Sequence, residues 1–354
     1  MATAAVEGIE AMSASIPIRN IYYLLCYAWN RLEQGELVDV SQIPTTELAD
    51  LFAFVLCDGI RHLARRGLEQ GYETRHEELS GIRGRLDIAN SLRRSLFPRG
   101  RAYCQYDELS VDTNANRILK AALLALLAVP ELDRGLRKRA FATFRSLRGI
   151  REIKLSSAAF KSVQVSSNNQ FYRFLLSVCR LICDSLLVDE SSGTTRFRNF
   201  TRDEKKMAAL FQSFLFNFIA RECRQWAVKS ENIAWQASSP TDPNLKLLPR
   251  MQTDISAVRP GEYRIIDAKF YRDTLSSFFD AEKVHSGNLY QMSSYLMNAK
   301  AIGGVQAAGM LIYPKVDREL REHYEILGRK VSLCTVDLQA PWQSIAQEIR
   351  SLME

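Results

Sequence analysis

Apolar residues recur at three- and four-residue spacing through much of the first half of the chain. Ile21, Leu24, Leu25 and Ala28 follow Asn20 at helical spacing, and a second helical pattern covers about 46–66. Between 70 and 108, short alternating pieces separated by glycines and prolines predict strands and loops. Helical spacing returns at about 114–129 and 131–147. The pattern therefore predicts an α+β domain over residues 1–160.

The second half begins after a stretch rich in Ser and Asn, and we expect 161–169 to be a linker to a second domain at 170–354. A helix is predicted at about 170–187. The most regular apolar stripe follows, formed by Met207, Leu210, Phe211, Phe214, Leu215, Phe218 and Ile219. One further step of this spacing puts Glu222 on the same face. That carboxylate is either at a frayed helix end or buried for a chemical role, and the spacing alone favours the frayed end.

The composition and charge of the chain are consistent with two globular domains and a polyanionic partner. The chain has 354 residues, 47% of them hydrophobic and 25% charged, which suits two soluble domains. The formal net charge of +7 favours a polyanionic partner. We expect no membrane span, because no apolar run approaches the ~18 residues needed. We expect a cytoplasmic protein, because the first fifteen residues carry no Lys or Arg and the seven cysteines suggest no disulfide framework.

Candidate chemistry is concentrated in a predicted hairpin. The segments 251–258 and 263–270 read as strands joined by a Pro-Gly turn. If Val258 pairs with Tyr263, Asp254 lies directly opposite Asp267, where Cβ atoms are about 4.5–5.5 Å apart. Alternation along the strand puts Lys269 on the same face. Two carboxylates with open coordination positions suit Mg²⁺, and Lys269 could position a water molecule or stabilise developing charge.

The alternative is a surface hairpin with an ordinary Asp–Lys ion pair. The second strand is largely apolar, with Ile265, Ile266 and Phe270, which is typical of a buried central strand. Unpaired acids are costly in such a strand. The pattern therefore favours the metal site.

These residues resemble a known nuclease motif. Asp254 followed by Asp267-Ala268-Lys269 resembles the D…(D/E)-x-K core of the restriction-endonuclease-like, or PD-(D/E)XK, superfamily. Downstream, Gln291 and Tyr295 resemble the Q-x-x-x-Y helix element of its RecB-like branch, with the two side chains one turn apart.

The resemblance extends over nearly the whole chain. The segments 16–29, 81–85, 116–120 and 247–254 are similar to the McrC family, the nuclease subunits of GTP-dependent McrBC systems that restrict DNA with modified cytosine. The resemblance implies an N-terminal partner-binding α+β domain followed by an α/β PD-(D/E)XK nuclease domain. It also implies Mg²⁺ as cofactor, double-stranded DNA as substrate, an McrB-like AAA+ GTPase ring as partner, and a dimer through the nuclease domain.

The same resemblance implies a division of labour between the subunits. GTP and the modified base are bound by the partner. This chain would stimulate the hydrolysis of GTP by that partner. In agreement with this, the sequence contains no G-x-x-x-x-G-K-[ST] phosphate loop.

The resemblance assigns catalytic roles to Asp254, Asp267, Lys269, Gln291 and Tyr295. Many relatives place Glu after Leu-Phe in the helix before the hairpin, whereas this chain has Gln212. If an acid from that helix is required as a third metal ligand, the apolar stripe nominates Glu222.

An arginine-rich stretch at 75–101 contains seven arginines and three acids. It can be a solvated surface, a contact to DNA phosphates, or the element that contacts the GTPase ring. The sequence alone favours DNA. The resemblance favours the ring, with Arg83 and Arg85 as partner-binding residues.

Two other functions remain open at this point. The first is a GTPase-activating scaffold whose nuclease site is degenerate. The second is a stand-alone RecB-like repair nuclease, which matches the C-terminal half but leaves the first 160 residues unexplained.

Overall fold

Helices and strands are mixed along the whole chain. The computed structural model describes residues 16–40, 43, 47–163, 169–188, 195–197, 199–271, 276–278, 281–316 and 318–354. In these ranges the helices are α1 (Ile18–Ala28), α2 (Leu32–Gly35), α3 (Leu48–Arg66), α4 (Ile88–Arg93), α5 (Asn114–Leu127), α6 (Arg134–Ser146), α7 (Gln170–Ser185), α8 (Glu204–Glu222), α9 (Ser286–Asn298) and α10 (Trp342–Met353). None of them is long and apolar enough to cross a membrane.

Within the same ranges the strands are mostly short and belong to five sheets. They are β1 (Gly71–Leu79), β2 (Arg85–Leu86), β3 (Ala102–Ser110), β4 (Leu186–Val188), β5 (Thr195–Phe197), β6 (Ala227–Lys229), β7 (Asn232–Ile233), β8 (Met251–Gln252), β9 (Ile255–Arg259), β10 (Glu262–Ala268), β11 (Ser276–Phe278), β12 (Ala281–Lys283), β13 (Ala308–Pro314), β14 (Arg321–Ile326) and β15 (Arg329–Val336). The helices expected at 21–28, 46–66, 114–129, 131–147 and 170–187 are all present within a few residues.

The chain divides into two compact units. One, which we call the sheet unit, combines the residues up to Leu48 with Asn199–Glu354. The other, the middle unit, is Ala49–Arg198. These boundaries differ from the expected division at 160–170, and the expected linker lies partly outside the described residues, at 164–168.

Contacts of α1 explain why the first residues join the sheet unit. The Asn20 amide donates hydrogen bonds to the carbonyls of Leu338 and Ala340, at 2.8 and 2.9 Å. The Tyr27 ring lies 5.9 Å from Phe214 and 5.1 Å from Phe218 of α8. The apolar face of α1 is therefore covered by elements more than 180 residues away, which local periodicity does not reveal.

The sheet unit is built on a mixed six-stranded sheet in the order β14-β15-β13-β10-β9-β6. β10, β13 and β15 run parallel, and β6, β9 and β14 pair antiparallel with their neighbours. Met292, Tyr295 and Leu296 of α9 share a buried core with Ile265 of β10 and Leu311 of β13. Because α9 follows β10 and precedes the parallel β13, the sheet holds it beside the end of β10.

The middle unit combines a three-stranded antiparallel sheet, in the order β1-β3-β2, with helices. α5 packs against α6 and α7. The Asn116 amide at the start of α5 donates to the carbonyls of Glu69 and Val111, at 2.9 and 2.7 Å. Lys120, one turn later, donates to the Ile150 carbonyl at 2.7 Å. These polar residues of segment 116–120 thus stabilise the fold.

Candidate active site

The hairpin of β9 and β10 places the two aspartates together. Tyr263 pairs with Val258, as the sequence predicts, and the ladder continues to Ile266 opposite Ile255. Asp254 lies in a bend immediately before β9, where its Oδ2 accepts a hydrogen bond from the Ala268 N–H at 2.9 Å. The carboxylate of Asp254 therefore extends the pairing beyond the last backbone pair and is fixed against the strand that carries Asp267.

Asp267 is the most buried acid of the site, with an exposed fraction of 1%. Its Oδ2 is 2.6 Å from the Lys269 ammonium nitrogen. Beyond this ion pair, neither carboxylate oxygen has a hydrogen-bond partner of good geometry among the described residues. A buried carboxylate with so few donors is unusual, because most buried polar atoms are hydrogen-bonded.

Helix α9 holds Lys269 from the other side. Its ammonium donates to Gln291 Oε1 at 2.9 Å. Gln291 Nε2 in turn donates to the Tyr295 hydroxyl at 2.7 Å, and that hydroxyl donates to the Gln252 carbonyl at 2.8 Å. These contacts therefore link Asp267, Lys269, Gln291 and Tyr295 and end on β8. Asp254 joins the cluster through the Ala268 N–H, so all five residues expected to be catalytic lie together.

Burial and mutual repulsion shape the charges of the site. Burial, followed by the charge of Asp267, raises the pKa of Asp254 to about 6, although the Ala268 N–H opposes the shift. Burial also raises the pKa of Asp267, against the stabilising charge of Lys269. Burial alone would lower the pKa of Lys269, but the carboxylates of Asp267 and Asp254 outweigh it and the pKa is raised. The site therefore contains excess negative charge that a cation would relieve.

The expected third acid does not reach this site. Glu222, at the end of α8, accepts hydrogen bonds from the Tyr27 hydroxyl at 3.0 Å and from Arg350 at 2.9 Å. The residue of α8 that contacts the site is Gln212, whose Nε2 donates to Asp254 Oδ1 at 2.8 Å. Ten residues of helix separate the two, about 15 Å along the axis, so one cannot replace the other. The expectation for Glu222 is corrected, because the site lies near the middle of α8.

Two contacts of this site are not evident from its sequence motif. The Ala268 N–H anchors Asp254, and the Gln252 carbonyl anchors Tyr295. Backbone groups leave no signature in residue identity. Gln212 carries a weak signal, since it directly follows Phe211 of the apolar stripe and departs from the family pattern. In the described part of the chain, no three His, Cys, Asp or Glu side chains form a group able to hold a metal.

Arg83 and Arg85 lie in the middle unit, at the turn into β2. The Arg83 guanidinium lies over the Tyr106 ring, 4.1 Å from its centroid, and 3.7 Å from Glu108. Gly84 has φ +68°, and a Cβ there would lie 2.5 Å from the Gln105 carbonyl oxygen, so glycine is required. Arg85 is exposed. The turn thus presents Arg83 in a fixed orientation beside an exposed Arg85.

The chain is similar to known proteins over most of its length. The family described as "McrBC 5-methylcytosine restriction system component" matches residues 14–314. The chain is 38% identical over 339 residues to the "Type IV methyl-directed restriction enzyme EcoKMcrBC" of Escherichia coli K12, covering 96% of this chain and 97% of that protein.

A solved structure shares the fold. It is a half-complex from a tetradecameric assembly of Thermococcus gammatolerans McrB AAA+ hexamers with bound McrC, at TM-score 0.62 and 17% identity, covering 95% of this chain and 75% of that one. The family match spans both units, and the identity to the E. coli protein extends over nearly the full length of both chains. The chain therefore belongs to the family of McrBC 5-methylcytosine restriction system components.

Proposed function

We propose that this chain is the Mg²⁺-dependent endonuclease subunit of a GTP-dependent restriction complex that cleaves DNA containing modified cytosine. Its sheet unit would then be a PD-(D/E)XK nuclease domain. The observation that carries the proposal is the convergence of Asp254, Asp267 and Lys269 at the ends of adjacent strands, with Gln291 and Tyr295 behind them.

The residues present fit a magnesium ion. Asp267 offers buried carboxylate oxygens whose close partner among the described residues is the Lys269 ammonium, and Asp254 offers a second carboxylate beside it. Carboxylate oxygens are the ligands that Mg²⁺ prefers, usually one or two of them with retained waters and phosphate oxygens. Asp254 and Asp267 would hold the ion. When bound, it supplies Lewis-acid stabilisation of the phosphate and a lowered pKa for coordinated water.

The surrounding side chains hold the other reacting groups in place. Lys269 is fixed between Asp267 and Gln291, with a positive charge beside the two carboxylates. In that position its ammonium can donate a hydrogen bond to the attacking water or to a phosphate oxygen that gains charge. Tyr295 and Gln291 act through Lys269, so we assign them a positioning role within the proposed catalytic set.

The partner proposed for this chain is an McrB-like AAA+ ring. The T. gammatolerans structure consists of McrB AAA+ hexamers with bound McrC, and this chain shares the fold of a component of that assembly. We propose that GTP and the modified base are bound by the ring and that Arg83 and Arg85 contact it. We also propose that the chain is located in the cytoplasm and that it forms a dimer through its nuclease domain.

One observation favours a second candidate function. The position on α8 where many relatives carry an acid is Gln212, and Gln212 contacts Asp254 directly. If Mg²⁺ requires a third acid, the nuclease site is inactive and the chain acts only as a GTPase-activating scaffold. The stand-alone repair nuclease is disfavoured, because the family match begins at residue 14 and includes the middle unit.

Reconstitution with an McrB-like partner tests the proposal. The wild-type chain, GTP, Mg²⁺ and DNA with 5-methylcytosine should give double-strand cleavage. Asp254→Ala and Asp267→Ala should each lower cleavage at least ~100-fold through loss of a metal ligand, and leave stimulation of partner GTP hydrolysis unchanged. Asp107→Ala, an exposed acid of the middle unit, is the control and should leave both activities at wild-type levels.

The cleavage and GTPase measurements together distinguish the nuclease from the GTPase-activating scaffold. Cleavage by either site variant at the wild-type rate contradicts the assigned site. GTPase stimulation without any cleavage by the wild-type chain favours the scaffold.

A further inference from the structure

Tyr313 is a buried tyrosine of β13 whose hydroxyl is only partly used. The side chain is 1% exposed and belongs to the core beneath α9, together with Leu311. Its hydroxyl oxygen accepts a hydrogen bond from Asn288 Nδ2 of α9 at 3.1 Å. Among the described residues this hydroxyl has no second hydrogen bond, so its own hydrogen remains available to donate.

The orientation of the Asn288 amide sets this direction of donation. Asn288 is 5% exposed, and its Oδ1 accepts a hydrogen bond from the Tyr271 hydroxyl at 3.0 Å. The amide nitrogen therefore faces Tyr313, and an amide nitrogen can only donate. Burial, with a smaller contribution from the charge of Asp267, raises the pKa of Tyr313 to about 12. The Tyr313 hydroxyl thus keeps its hydrogen at neutral pH.

The other buried tyrosines of this core use their hydroxyl hydrogens. The Tyr295 hydroxyl accepts a hydrogen bond from a side-chain amide at 2.7 Å and donates one to a backbone carbonyl at 2.8 Å. The Tyr263 hydroxyl donates to Glu231 Oε1 at 2.9 Å. Most buried polar groups are satisfied in this way. Tyr313 differs from both, because no acceptor for its hydrogen lies in the described part of the chain.

An acceptor that is short of donors lies on the same face of the sheet. Asp267 of β10 pairs with Leu311 of the parallel β13, so Asp267 and Tyr313 are diagonal neighbours. A strand spacing of about 4.8 Å and a rise of about 3.3 Å per residue put their Cα atoms about 8 Å apart. Beyond its ion pair with Lys269, Asp267 has no hydrogen-bond partner of good geometry in the described ranges. Both oxygens of Asp254, by contrast, already accept hydrogen bonds.

We propose that the Tyr313 hydroxyl and the Asp267 carboxylate together hold a buried water molecule. The directions of donation match, because the water would accept a hydrogen from the hydroxyl and donate one to the carboxylate. Buried waters typically make about three hydrogen bonds to polar groups that would otherwise be unsatisfied. Two such bonds span up to about 5.6 Å between the outer oxygens, which suits diagonal neighbours on adjacent strands.

The use of this water rests on the proposed function. Mg²⁺ usually keeps several of its waters when it binds to one or two carboxylates. Side chains that hold the groups around a metal tune its affinity and activity. In the proposed nuclease, the water between Tyr313 and Asp267 is one that the ion retains. Tyr313 is then a positioning residue, which acts through this water and through Asp267.

A high-resolution crystal structure of the full chain without divalent cations tests the water directly. We expect an ordered oxygen within about 3 Å of both Tyr313 Oη and a carboxylate oxygen of Asp267. It should be missing in Tyr313→Phe. It should be kept in Tyr263→Phe, the matched control, which removes another buried hydroxyl from the same core. A direct hydrogen bond from Tyr313 to Asp267, another acceptor for the Tyr313 hydroxyl, or no oxygen at this place would each overturn the proposal.

The role of the water is tested with the ion. Titration of the full chain with Mn²⁺, followed by electron paramagnetic resonance, should show about tenfold weaker binding by Tyr313→Phe, the low end of the effect of losing such a partner. In the reconstituted complex, this variant should need about tenfold more Mg²⁺ for half-maximal cleavage. Saturating Mg²⁺ should restore most of the rate, and the KM for DNA should not change. Tyr263→Phe should stay within about twofold of wild type in both assays.

These measurements separate the water site from the nuclease assignment. Wild-type Mn²⁺ affinity and Mg²⁺ dependence in Tyr313→Phe would overturn the positioning role, and so would equal losses in Tyr263→Phe. If the wild-type chain binds no Mn²⁺ and the complex cuts no DNA, the positioning role fails together with the proposed function. The ordered oxygen between Tyr313 and Asp267 would still establish the water site in that case.

Discussion

At the scale of single residues, the candidate site combines groups that destabilise one another. Asp254 and Asp267 are both acids in a buried setting, and only Lys269 and a few hydrogen bonds compensate them. Such a cluster is costly to the fold unless a cation joins it. Residues elsewhere in the chain, such as Asn116 and Lys120, are buried too but hydrogen-bonded to backbone carbonyls, which is how polar groups stabilise a structure.

The buried carboxylate of Asp254 should lower the stability of the folded chain at neutral pH. Its raised pKa means that the folded chain binds the proton more tightly than the unfolded chain, so this group lowers stability as pH rises from about 4 to 6. Asp254→Asn removes that charge and keeps an oxygen to accept from Ala268. Without divalent cations, the variant should be more stable than wild type at pH 7.5, by at most about 3 kcal/mol for two pKa units.

Thermal unfolding at pH 7.5 and pH 5 measures the effect. The advantage should fall to about half at pH 5, midway between the unfolded pKa of about 4 and the folded pKa of about 6. If the variant is less stable than wild type at pH 7.5, the ionised carboxylate of Asp254 stabilises the fold and this prediction is wrong.

A second residue, Asp112, should behave in the opposite way. Its side chain is 7% exposed and accepts hydrogen bonds from Arg117 and Arg151, at 2.6–2.8 Å. The Arg117 hydrogen bonds, against the opposing effect of burial, hold the pKa of Asp112 well below its usual range. Asp112→Asn should destabilise the chain by about 3 kcal/mol at pH 7, because two guanidiniums lose their anion.

Because the pKa of Asp112 is depressed, its contribution is present above the unfolded value of about 3.9 and is lost as pH falls. Urea unfolding at pH 7 and at pH 3 should therefore show a large difference between variant and wild type at pH 7 and a smaller one at pH 3. Asp107→Asn, an exposed acid of the same unit, serves as control. An equal difference at both pH values would contradict the role of the charge.

At the scale of elements, position along a helix or strand decides what a residue can do. α8 crosses the sheet so that Gln212 in its middle contacts Asp254, while Glu222 at its end contacts α1 and α10. α9 lies so close to β13 that a Cβ on Gly309 would approach Met292 Sδ to 2.7 Å. This close packing fixes the helix that carries Gln291 and Tyr295.

The turn into β2 carries Arg83 and Arg85, the two residues proposed to contact the partner ring. If the turn contacts the ring through guanidinium geometry, Arg83→Lys and Arg85→Lys should each lower stimulation of partner GTP hydrolysis several-fold, since Lys cannot copy a planar bidentate contact. DNA affinity of the chain alone should change little, because charge is preserved. The measurement is partner GTPase rate against concentration of this chain, with Arg99→Lys as control. Unchanged stimulation by both variants would remove the ring contact from this turn.

At the scale of the whole molecule, the chain has a charge surplus and no phosphate loop. Its basic surfaces have charge but no base-reading motif, so they should bind DNA without regard to methylation. The isolated chain should therefore bind GTP no better than ATP and should show less than a threefold preference for methylated over unmethylated duplex. Equilibrium titration with labelled nucleotides and matched duplexes measures both. Saturable, GTP-selective binding would assign the nucleotide site to this chain.

The local features of this protein follow from its sequence alone, because they depend on neighbouring residues. Alternation and the Pro-Gly turn set the register of β9 and β10, and that register is enough to bring Asp254, Asp267 and Lys269 together. Helical spacing likewise puts Gln291 and Tyr295 on one face of α9.

Which faces meet is settled by tertiary packing. Packing joins α1 to the sheet unit and puts Gln212 instead of Glu222 at the site. It also places Arg75 beside Glu108 of β3 and Arg101 beside Glu78 of β1. Each of these outcomes depends on contacts between residues far apart in the chain. Periodicity shows that a face will be buried, but the partner that buries it is fixed by packing of the whole unit.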